Sequence, residues 1–181
     1  LWWIGMCFAT NSIVMAGVTV HIIPLMMERG FSMVVIISTI ALIGPMQVMG
    51  RVVVTIFETW LSFRRAGLVS CVLLLCSFAL LFFALPSNYL NYFFPIFYGS
   101  SLGIITIVRA LAVPELIGSE AYGALNGLLG LVSSFALALT PVLISWVWLL
   151  TESYTAPLWL FLIMAFLSLI GFVLAIKKAR K

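Results

Sequence analysis

The residue with the most chemistry in this sequence is an arginine inside an apolar run. Arg51 closes the string Gly44-Pro45-Met46-Gln47-Val48-Met49-Gly50-Arg51. With Glu58 and Trp60 marking a membrane interface, Arg51 lies about 10 Å inside it at the helical rise per residue. An Arg at that depth costs ~2.5–3.5 kcal/mol on insertion scales, so such a residue faces a cavity or a partner. Gln47 stands one helical turn earlier and Gly44 one turn before that, which makes a polar line with room beside it. The guanidinium fork there would hold a carboxylate through two charge-assisted hydrogen bonds. The competing reading is structural: an ion pair with Glu58, or a side chain snorkelling to the interface.

Other polar residues are set into apolar surroundings. Asn11, flanked by Thr10 and Ser12, is either a bond to a neighbouring helix or a substrate contact. His21 is the lone histidine. Imidazole titrates near physiological pH, so His21 is a candidate proton-coupling group as well as an ordinary hydrogen-bonded side chain. Tyr98, Ser101 and Thr106 give one segment a polar side, and Tyr98 joins Arg51, Gln47 and Asn11 as a candidate substrate-binding residue. Arg109, Glu115 and Glu120, with Glu58, Arg64 and Arg65, compose a candidate charged latch or a solvated loop. Gly99-Ser100-Ser101-Leu102-Gly103 matches G-x-S-x-G, and with His21 it raises an intramembrane serine protease. That motif requires a strand-to-helix turn to expose its serine, and here it sits in an apolar run that suits helix packing. The expectation is therefore that the chain is not an enzyme.

The elements that hold these residues follow from composition. Of the residues, 65% are apolar or aromatic and 8% are charged, against roughly 25% charged in a soluble domain. The net charge of +4 is not interleaved with aromatics in an exposed stretch, so nucleic-acid binding is not expected. Cys7, Cys71 and Cys76 lie in apolar runs without metal-ligand spacing and read as small hydrophobes; no metal and no cofactor is expected.

Spanning a ~30 Å hydrocarbon core takes about 20 helical residues, and the backbone must satisfy its own hydrogen bonds there. Six apolar runs qualify, at about residues 1–26, 32–58, 66–85, 90–112, 120–150 and 156–176. The predicted fold is all-α and polytopic, in contact with the lipid bilayer, with short connections that make sequence neighbours antiparallel. The chain begins at Leu1, without Met, inside an apolar run too long for a signal peptide, and is read as a fragment. One side of the membrane collects Arg64, Arg65, Arg109, Lys177, Lys178, Arg180 and Lys181; the other has Arg29. That bias places both ends in the cytoplasm, in a cell membrane. Trp2, Trp3, Trp60, Tyr89, Tyr92, Tyr154 and Trp159 fit an interfacial belt. Gly99 with Gly103, and Gly123 with Gly127, have the four-residue spacing that lets helix backbones approach. Pro24, Pro45, Pro95 and Pro141 are positions where helices can bend.

Taken in order, several strings resemble the C-terminal half of a bacterial major facilitator superfamily transporter. His21-Ile22-Ile23-Pro24-Leu25 followed by Glu28-Arg29-Gly30 is similar to the seventh helix of that family. Ile43-Gly44-Pro45-Met46-Gln47-Val48-Met49-Gly50-Arg51 is similar to the eighth. Thr106-Ile107-Val108-Arg109-Ala110 and Val113-Pro114-Glu115-Leu116-Ile117-Gly118 are similar to the end of the tenth and its loop. Tyr122-Gly123-Ala124-Leu125-Asn126-Gly127 is similar to the start of the eleventh. The resemblance spans the chain. It implies a twelve-helix protein of two halves, with a small-molecule solute bound near the midplane and access alternated by rocking. An N-terminal lobe would be the missing partner, and this piece alone would be inactive. The Gly50-Arg51 pair further resembles monocarboxylate and oxalate–formate type members, in which an eighth-helix Arg contacts the substrate carboxylate. The loop after the second helix departs from the family pattern, keeping only Arg64, Arg65 and Glu58. The function expected is secondary active transport of a small solute, an organic anion or carboxylate among the candidates. The alternatives are the protease and a non-transporting scaffold or channel subunit.

Overall fold

A computed structural model describes residues 1–87, 89–118 and 121–179. Glu120, Arg180 and Lys181, counted above in the latch and in the charge bias, lie outside the described residues. The chain forms six helices: α1 (Trp2–Glu28), α2 (Met33–Ile56), α3 (Phe63–Phe83), α4 (Leu90–Leu116), α5 (Tyr122–Thr151) and α6 (Thr155–Lys178). Even α3, with 21 residues, is about 31 Å long and long enough to cross a hydrocarbon core. All six have the length and apolarity of membrane spans. The chain is an all-α, multi-pass membrane protein.

Two boundaries differ from expectation in ways that matter. α3 begins at Phe63, which draws Arg64 and Arg65 into its first turn. α4 runs on through Pro114 to Leu116, past the expected end near residue 112, which sets Arg109 seven residues inside the helix. Pro114 lies so close to the C-terminus of α4 that little helix remains for its missing N–H to disrupt. The first connection is a Schellman turn. Phe31 N–H donates to Met26 C=O and Gly30 N–H to Met27 C=O, with Gly30 at φ +82°, a conformation that glycine adopts without a Cβ penalty.

α3 and α6 pack on each other, α4 packs on α3, and α1 packs on α6. α2 then lies along α4, and α5 along α1. Exchanging α1–α2–α3 for α4–α5–α6 maps this pattern onto itself. Because successive helices alternate in direction, the two triplets have opposite senses across the membrane. α1 and α4 carry much of the buried surface, whereas α2 and α5 expose most of theirs.

Glycines set the closest of these contacts. A Cβ on Gly99 would lie 2.6 Å from Ile43 O, and one on Gly50 would lie 2.5 Å from Ser100 O. A Cβ on Gly103 would collide with the carbonyl of Gln47. The Gly99/Gly103 pair therefore lets the α4 and α2 backbones touch, as its spacing predicts. Gly123 and Gly127 do not act this way: nothing lies within 4 Å of a Cβ at either position. They occupy the start of α5, whose main neighbour is α1 and whose surface is mostly open.

Candidate binding cleft between α1, α2 and α4

Two helical faces with the same spacing meet across a small cleft. α1 contributes Phe8, Asn11, Ser12 and Met15, and α4 contributes Leu102, Ile105, Thr106 and Arg109. Each set follows i, i+3, i+4, i+7, the pattern of one helix face. α2 contributes Gln47, brought there by the Gly103 contact. The cavity between them is about 90 Å³.

Its polar lining is Asn11, Ser12, Gln47, Thr106 and Arg109. Asn11 is buried, and its Nδ2 has no hydrogen-bond partner. Leaving an amide N–H₂ unpaired in such a place costs ~1–3 kcal/mol. The Arg109 guanidinium lies over the ring of Phe8, 5.6 Å from its centroid, within cation–π range. Among the described residues, no Lys or Arg nitrogen is within 4.0 Å of a carboxylate oxygen. The Thr106 hydroxyl turns back on its own helix, donating to Gly103 C=O at 2.7 Å.

The expected polar stripe on α2 is split. Gln47 lines the cleft, while the Arg51 side chain one turn on is exposed and forms no ion pair with Glu58 among the described residues. Tyr98 is outside the cleft, in the aromatic core. It stacks on Phe94 at 5.3 Å and meets the edge of Phe78 at 6.0 Å.

His21 is buried and has a partner at each ring nitrogen. Nε2 lies 3.1 Å from Pro141 C=O, which only accepts, so Nε2 carries the proton. Nδ1 lies 3.3 Å from the Tyr154 hydroxyl, which donates to it when the ring is neutral. Burial, and secondly the Glu28 carboxylate, push the Tyr154 phenol above its ordinary pKa. His21 thus ties α1 to α5 and to the start of α6.

The latch residues divide between two places. Glu58, Arg64 and Glu115 line a cavity of about 470 Å³ between the α2–α3 connection and α4. Arg65 points elsewhere and donates to Trp60 C=O at 2.9 Å. Arg109 belongs to the cleft. Ser101 and His21 are not brought together: Ser101 Oγ donates to Ser70 C=O at 2.8 Å, and Ser70 Oγ donates to Ser101 C=O at 3.0 Å. That reciprocal pair joins α4 to α3.

Sequence reasoning passed over the strongest polar anchors of the opposite end. Glu28 accepts from Ser153 Oγ at 2.9 Å and from Tyr154 N–H at 2.7 Å. Arg29 donates to the carbonyls of Leu81 and Phe82 at the end of α3. Burial lowers the Arg29 pKa, opposed by the adjacent Glu28. The visible signal was an adjacent acid and base directly after an apolar run, where the last carbonyls of other helices also end. Cys7 and Cys71 converge on Ser168: Cys7 Sγ is 3.4 Å and Cys71 Sγ is 3.8 Å from its Oγ. These two cysteines pack α1, α3 and α6 together, as small hydrophobes with weak polar contacts.

No protein-family model, curated protein or solved structure matches this chain.

Proposed function

We propose that this chain is one six-helix lobe of a secondary active transporter, of the kind found in the major facilitator superfamily, that moves a small solute by alternating access. One observation carries the reading. Polar residues distant in sequence, Asn11 and Ser12, Gln47, and Thr106 and Arg109, are gathered in one cleft of the helical bundle. Intramembrane polar groups are costly and cluster on solute pathways.

Two further features support it. The contact pattern repeats on exchanging α1–α2–α3 for α4–α5–α6, and inverted three-helix repeats are a recurrent construction in transporters. Arg51 also stands exposed on α2, five residues before its end at Ile56. An Arg facing lipid at that depth would be costly, so its neighbour is an aqueous pathway or a second lobe. The open faces of α2 and α5 would meet that lobe.

The bias of Lys and Arg orients the lobe. With Arg109 withdrawn into α4, Arg64, Arg65, Lys177, Lys178, Arg180 and Lys181 still oppose Arg29. The C-terminus is then cytoplasmic, in a cell membrane.

The test is uptake into proteoliposomes containing the full-length protein, with and without an imposed proton gradient. Saturable, gradient-dependent accumulation of a labelled solute is expected. Unsaturable flux with single-channel currents would replace the transporter by a channel.

A further inference from the structure

We infer that Arg109, Asn11 and Gln47 form an anion subsite that receives the carboxylate of a small, singly charged solute, with Arg109 and not Arg51 as the charge that reads it. The inference rests on the transport reading for the solute's passage, but the subsite itself stands on four features of the cleft.

First, Arg109 lies seven residues before the end of α4, about 10 Å along the helix from that end. It has no carboxylate partner among the described residues. A half-buried cation there attracts an anion in surroundings that screen it less than bulk water does. Second, the Asn11 Nδ2 group is buried and unpaired. Asn11 lines the same cavity as Arg109, and a carboxylate oxygen would supply the acceptor that its amide lacks. Third, the Phe8 ring lies against the guanidinium. A cation–π contact uses none of the guanidinium N–H donors, which stay available to an anion.

Fourth, the cavity fits the ligand. Its volume of about 90 Å³ has room for a carboxylate and a short stem. Met15, Leu102 and Ile105 form apolar walls beside the polar groups. Arg109 is the one charged residue of the lining, so a second charge on the ligand would find no countercharge there, which disfavours it. A carboxylate with a short apolar remainder satisfies both parts.

The experiment measures thermal protection of the purified full-length protein by lactate, pyruvate, formate and oxalate, with lactamide and propionamide as uncharged controls. One or more monocarboxylates should protect the wild type more strongly than oxalate does, and the amides should not protect it. Arg109→Ala should weaken that protection roughly tenfold or more in ligand concentration, as expected for loss of a charged hydrogen-bond partner. Arg51→Ala should retain it. Asn11→Asp places a carboxylate in the lining of the cavity that Arg109 also lines and should abolish protection while keeping the arginine, which covers the case in which Arg109→Ala does not fold. Equal protection of the wild type and Asn11→Asp, loss in Arg51→Ala alone, or no protection of the wild type by any carboxylate would each overturn the subsite. Protection without uptake in proteoliposomes would remove the transport reading and leave the subsite standing. Uptake of a solute with no carboxylate protection would do the reverse.

Discussion

The guanidinium of Arg109 on α4 rests over the ring of Phe8 on α1, 5.6 Å from its centroid. This contact crosses the cleft between two helices whose backbones scarcely touch. It sets an aromatic ring beside the one charged residue of the cleft. Phe8→Leu keeps the apolar bulk and removes the quadrupole. A cation–π contact is worth ~0.5–1 kcal/mol or somewhat more when desolvated. Carboxylate affinity should therefore fall roughly two- to fivefold, with little loss of thermal stability. An unchanged affinity in a ligand-protection titration would show that the ring does not orient the arginine.

Glycines of equal spacing should behave unequally. Gly103→Ala drives a methyl into the Gln47 carbonyl, and separating packed backbones costs about 1–3 kcal/mol. Gly123→Ala meets open space and gains helix propensity, roughly 0.5–1 kcal/mol. Thermal unfolding of the two variants in the same detergent separates these outcomes. Equal shifts would contradict the α2–α4 contact as drawn.

The Tyr154–His21 bond should show in the pH dependence of stability. The phenol pKa is raised in the folded protein by burial and by Glu28, so the folded state favours neutral tyrosine. Its contribution is complete below the ordinary phenol value of about 10 and is lost as pH rises past it. Tyr154→Phe removes one hydrogen bond and should cost ~0.5–1.5 kcal/mol at pH 7. The gap between wild type and variant should narrow above about pH 10, where the wild type alone loses the phenol. A constant gap across that range in melting experiments would argue that the bond does not form.

Ser101 should prove a packing residue. Ser101→Ala removes the bond from its hydroxyl to Ser70 C=O and leaves the Ser70 hydroxyl bonded to the Ser101 carbonyl, a loss of ~0.5–1.5 kcal/mol. Solute uptake should persist in the folded fraction. Loss of a peptide-cleaving activity in this variant, with the fold intact, would instead revive the protease.

The spans were legible because their cause is local. An apolar run of sufficient length in lipid has one way to satisfy its backbone, and that is a helix. The ends were less legible: Pro114 reads as a terminus but sits inside α4, which sets Arg109 about one turn further from the helix end than expected. Gly99 and Gly103 were legible as packing residues, but nothing local distinguished them from Gly123 and Gly127.

Residue type and spacing by themselves determined that the chain crosses a membrane six times as helices, and that Asn11, Gln47, Arg51 and Arg109 are costly polar residues within or near those spans. Only the tertiary structure decided which of them meet. The helices are apolar nearly all round, so no amphipathic stripe declares which face turns inward. That choice falls to contacts between helices: glycines that admit the α2 backbone to α4, and an aromatic ring on α1 that receives the Arg109 cation. Such contacts join residues far apart in the chain, and for that physical reason Arg109 entered the cleft while Arg51 stayed outside it.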